Sequence, residues 1–117
     1  MADEFKVGEK VLNCNFANPA FMKKVEDAFL NFAKTQDECE KKEKRTYAQV
    51  IEDGCNMCER VFDDIWGDGT ASNLFPEKDL SELEETIYSF LEFMDACKAR
   101  ILNRRAKTIQ KYLEIAK

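Results

Sequence analysis

The chain has 117 residues, 44% hydrophobic and 11% aromatic, with four Gly, two Pro and a net charge of −5; this excludes a disordered, collagen-like or loop-rich disulfide chain and leaves one domain able to bury about two-thirds of its unfolded surface. No run approaches the roughly 18 apolar residues of a membrane span, and Met1-Ala2-Asp3-Glu4 is acidic where a secretory leader is basic, so a soluble, cytoplasmic protein without membrane insertion is expected. The absence of His removes Ser-His and Cys-His nucleophile pairs and His-containing zinc sites, and we predict no catalytic residue, metal or other cofactor.

Phe5, Val7, Val11, Leu12 and Phe16 read as a short first helix with Gly8 inside it. Asn18-Pro19 then supplies an N-cap and a first-turn proline, and Phe21, Val25, Ala28, Phe29 and Phe32 recur at helical spacing, which predicts a helix over about 19–34. Residues 35–45 lack apolar periodicity and read as a polar connection or a solvated first turn leading into the next helix. From Thr46, a plausible cap, Val50, Ile51, Cys55, Cys58, Val61, Phe62 and Ile65 form a second stripe that Gly67-Asp68-Gly69 stops. Residues 67–78 read as a loop with Leu74 and Phe75 tucked onto the core. Asp79 or Ser81 opens the last long stripe, Leu80, Leu83, Ile87, Phe90, Met94, Cys97 and Ile101; beyond it Leu102, Ala106, Ile109, Leu113 and Ala116 keep the three-four spacing on a displaced line. A kink or a new helix between about 101 and 106 would account for the displacement. The predicted fold is all-α, a single domain over 1–117 built as a bundle of five or six helices.

Charge is unevenly placed. Residues 1–51 are neutral overall, residues 52–95 hold thirteen acids against Arg60 and Lys78, and residues 96–117 hold seven basic groups against Glu114. The acidic block repels nucleic acid and favours a basic partner surface. The basic tail lacks interleaved aromatics apart from Tyr112, so no nucleic-acid partner is expected.

Cys55-Asn56-Met57-Cys58 is a C-x-x-C pair, but it lies mid-helix on the apolar stripe, and Cys14, Cys39 and Cys97 add no second paired spacing. Five Cys without a secretion signal are expected to be reduced and packed as small hydrophobes. An Asp64-based calcium loop fails at two ligand positions, where Trp66 and Phe75 fall. The acids of 79–85 read as a solvated helix face.

Nine Phe, three Tyr and Trp66 are many aromatics for a small helical domain. Either they fill the core, or part of them lines an apolar groove for a partner's amphipathic helix. The candidate groove is Phe62, Ile65, Trp66, Leu74, Phe75, Phe90, Phe93 and Met94, with an acidic rim of Asp63, Asp64 and Asp68 able to steer a basic partner.

Asn18-Pro19-Ala20-Phe21, Phe29, Phe32, the charged 37–45 stretch, Tyr47 and Ile51 stand in an order that resembles the BART domain, a helical module that binds an Arf-like small GTPase and occurs also in a cilium-associated protein. Phe90-Leu91-Glu92-Phe93-Met94-Asp95-Ala96-Cys97-Lys98 resembles that family's Phe-x-x-Phe-x-x-Phe-Lys region, although Cys97 stands where an aromatic is expected. The resemblance spans about residues 3–115. It implies a monomeric, non-catalytic effector or adaptor that binds a GTP-bound Arf-like GTPase and accepts its amphipathic helix, in the cytoplasm with a cilium or flagellum association. The alternative is a structural helical protein that self-associates through an exposed seam.

Overall fold

The structure, a computed structural model, describes residues 3–116; Met1 and Ala2, which entered the leader argument, and Lys117 of the basic tail lie outside the described residues. The all-α expectation is corrected at the start of the chain. In place of a first helix, β1 (Asp3–Val7) and β2 (Lys10–Cys14) form an antiparallel hairpin with Phe5 opposite Leu12 and Asp3 opposite Cys14. Val7 pairs with Lys10, so Gly8-Glu9 is a two-residue turn, and Gly8 sits at φ +62, the glycine-first arrangement that suits a twisted hairpin. A helix here would have carried Gly8 in its interior at about 1 kcal/mol. The hairpin instead turns Phe5, Leu12 and Cys14 inward and leaves Glu4, Lys6, Val11 and Asn13 in solvent.

Among the described residues four helices follow, fewer than the five or six expected. Helix α1 (Pro19–Glu40) starts as predicted: Asn18 Oδ1 accepts the Phe21 N–H at 3.1 Å. It runs beyond residue 34 because no Gly or Pro interrupts it, Gln36 donates to Glu40 at 2.9 Å, and Cys39 is buried. The chain reverses over 41–46, with Lys44 at φ 59. Helix α2 (Tyr47–Trp66) opens with a reciprocal capping box, Thr46 Oγ1 accepting the Gln49 N–H and Gln49 Oε1 accepting the Thr46 N–H. It ends at Gly67, whose φ of 111 disfavours a side chain.

Part of the expected 67–78 loop is helical: α3 (Thr70–Leu74) is one short helix, fixed to α2 by the Ala71 N–H donating to Asp63 Oδ1 at 2.9 Å. Phe75 is then buried, as a loop aromatic before Pro76 should be. Asp79 Oδ1 accepts the Glu82 N–H at the start of α4 (Leu80–Ala116). No new helix begins near 101–106, since α4 runs unbroken for 37 residues. Its seam from Leu83 through Cys97 is in the core, and Ile101 is half-buried at the edge.

At 1.5 Å per residue α4 is about 55 Å long, of which 102–116 make up about 22 Å. The rest of the protein ends before that last stretch does. The molecule measures 68 × 33 × 21 Å and has a radius of gyration of 18.0 Å, against about 13 Å for a compact domain of this length. The excess is consistent with the projecting stem of α4.

Candidate functional site

The eight residues assigned to an apolar groove converge on one cluster, and Trp66 and Leu74, with Asp68 of the rim, also line an open groove between β2 and α3. Phe62, Ile65, Phe75 and Phe90 are buried, while Trp66, Leu74, Phe93 and Met94 are half-buried and packed against the same cluster. The hairpin explains where the aromatic surplus goes. Phe5 meets Phe90 at 5.6 Å and Phe93 at 5.4 Å between ring centroids, and Phe16 meets both at 5.9 Å. Phe93 stands off the main seam of α4, and the sheet is what covers it. Trp66 packs on Phe62 and Phe90, and its Nε1–H donates to the Asn13 carbonyl at 2.8 Å, which ties β2 to α2.

The acidic rim is also committed locally. Asp63 caps α3, Asp64 is exposed and lies 3.8 Å from Arg60 one turn earlier, and Asp68 stands exposed in the turn between α2 and α3. A groove of about 650 Å³ between β2 and α3 is crossed by Lys10, whose Nζ donates to the Asn73 carbonyl and side chain. A cleft of about 200 Å³ between α1 and α2 has Ala28, Cys39, Met57 and Val61 at its floor. That is below the ~300–1,000 Å³ of small-molecule sites, and Asp53 at its rim is paired with Arg45 at 3.0 Å.

All five Cys are free thiols and buried. Burial pushes Cys14 and Cys58 up to about 12, and it raises Cys55 and Cys97 as well, which lowers the thiolate fraction of the C-x-x-C pair. Among the described residues no three Cys, Asp or Glu side chains are grouped to hold a metal ion. No described helix is long and apolar enough to cross a membrane.

The stem of α4 is left uncovered by the rest of the described chain. Every residue from Leu102 to Ala116 is exposed, including Leu102 at 60%, Ile109 at 50% and Leu113 at 57%. At 100° per residue Leu102, Ala106, Ile109, Leu113 and Ala116 fall within an arc of about 80°. Their spacing of four, three, four and three is that of a coiled-coil seam. Arg104, Lys107 and Lys111 occupy the far side. The sequence did carry this signal, in the displaced stripe after Ile101; what it lacked was any indication that the core stops there.

The model of the family described as "Family of unknown function (DUF6673)" matches residues 8–116, and the chain belongs to that family. No curated protein and no solved structure matches it.

Proposed function

We propose that this protein is a non-catalytic structural protein that self-associates through the stem of α4. One observation carries the reading: fifteen consecutive helical residues with a coiled-coil seam are exposed, their apolar side chains outside the core of their own chain. A helix of that length is marginal in water unless an amphipathic face is packed, and contiguous exposed apolar surface of this kind marks an interaction site. The stem lies outside the aromatic cluster on which the GTPase-effector reading draws. The stem therefore supports the alternative reading.

Two-fold pairing would cover Leu102, Ile109 and Leu113 of both copies. Sedimentation velocity across a concentration series tests it: the full chain should move from monomer to dimer, and Ile109→Asp with Leu113→Asp should remain monomeric with an unchanged circular dichroism spectrum. A wild-type chain that stays monomeric throughout would remove the proposal.

A further inference from the structure

We infer that α4 pairs antiparallel with the α4 of a second copy, across a two-fold axis near Arg100, so that each basic stem lies along the acidic outer face of its partner. This rests on the self-association proposed above and specifies its geometry. The first sixteen residues of α4, 80–95, hold five acids and no basic group, whereas 96–116 hold six basic groups and one acid. Side by side and parallel, two such helices would set acid on acid and base on base. Antiparallel, they set each half on its opposite.

The apolar pattern selects the same arrangement. Continued toward the N-terminus, the arc of the stem's seam takes in Glu84, Tyr88, Leu91, Asp95 and Lys98, about a quarter-turn round α4 from the centre of its core stripe. Tyr88 is 65% exposed, Leu91 is half-buried and Asp95 is exposed. Counted from Arg100, Leu91 and Ile109 lie nine residues to either side, and Asp95 and Arg105 lie five; Tyr88 and Leu113 lie twelve and thirteen. A two-fold axis at that point therefore sets Ile109 on Leu91, Leu113 near Tyr88 and Arg105 on Asp95, each twice, as an isologous contact requires. Arg100 itself is turned to the other side, where it donates to Asp3 at 2.7 Å, and neighbouring Ala99 leaves room for two backbones to approach.

The test uses two full-length variants, one with Arg105→Glu, the other with Asp95→Lys, both at exposed positions. Each variant alone should dimerise at least tenfold more weakly than wild type by sedimentation. An equimolar mixture of the two should recover wild-type affinity as a heterodimer, because both of its charge contacts are again complementary. Wild-type dimerisation should also weaken as salt is raised. A wild-type dimer whose affinity is untouched by either reversal, or which tightens with salt, overturns the antiparallel geometry and leaves self-association standing. A wild-type monomer at every concentration overturns both, and its cosedimentation with vesicles of anionic lipid would then assign the stem to a membrane surface.

Discussion

Phe90→Ala is the sharpest probe of the core. The ring is 2% exposed and sits among Phe5, Phe16, Phe29 and Trp66, with centroid separations from 5.2 to 6.4 Å. Truncating a buried Phe costs about 3–5 kcal/mol, and the neighbours here come from the sheet, α1 and α2 at once, so collapse of one element cannot refill the space. The upper half of that range, about 4 kcal/mol, is expected. A domain of this length has a total stability of roughly 6–18 kcal/mol, so the variant folds but with a large fraction of its margin gone. With a urea m-value near 2 kcal/mol/M, the midpoint should fall by about 2 M. The comparison is best made in an Ile109→Asp, Leu113→Asp background, where association does not contribute to the transition. A midpoint within about 0.3 M of its parent would mean that the four rings do not enclose Phe90, and the account of the aromatic surplus would fail with it.

Three further outcomes follow from the same packing. Cys14 and Cys58 have thiol pKa values raised by burial from 9.0 to about 12, so their contribution is intact below about pH 9 and is lost as pH rises through 9 toward 12; urea midpoints should drop over that window, less steeply in a Cys14→Ala, Cys58→Ala variant, and equal slopes would contradict the assignment. Trp66→Phe removes the donor to the Asn13 carbonyl and should cost about 1 kcal/mol, with faster amide exchange in β2 than in α1. Thr46→Ala breaks the capping box of α2 and should cost about 1 kcal/mol, read as a lower thermal midpoint with native helicity retained at 20–25 °C.

The long helices were legible in the sequence because their cause is local. Asn18-Pro19, Thr46 with Gln49, Gly67 and Asp79 are start and stop signals whose partners lie within four residues, and the stripes between them repeat at three and four. The hairpin was not legible. Phe5, Val7, Val11, Leu12 and Phe16 satisfy helical spacing as well as they satisfy a two-residue alternation, since Val11 is apolar yet 44% exposed and obscures the period. Gly8 decides between the two readings only once the strands it joins have a surface to lie on, and that surface, Phe90 with Phe93, is more than eighty residues away. Local propensity in this segment is close to balanced, so tertiary contact settles it.

The same distinction separates the core from the candidate site. An apolar stripe states only that a face is to be covered. Up to Ile101 the cover is the protein's own sheet and helices, and after it the identical spacing continues on a helix that has outrun them. The phase change between Ile101 and Leu102 is the mark of that transition, because one face of α4 cannot serve both the chain's own core and an outside partner over its whole length. By turning the seam, α4 presents its stem on the side where Tyr88 and Leu91 are already accessible. Substitutions on the two seams should therefore behave oppositely: at Phe90 they cost stability and spare association in whatever remains folded, and at Ile109 they abolish association and spare the monomer.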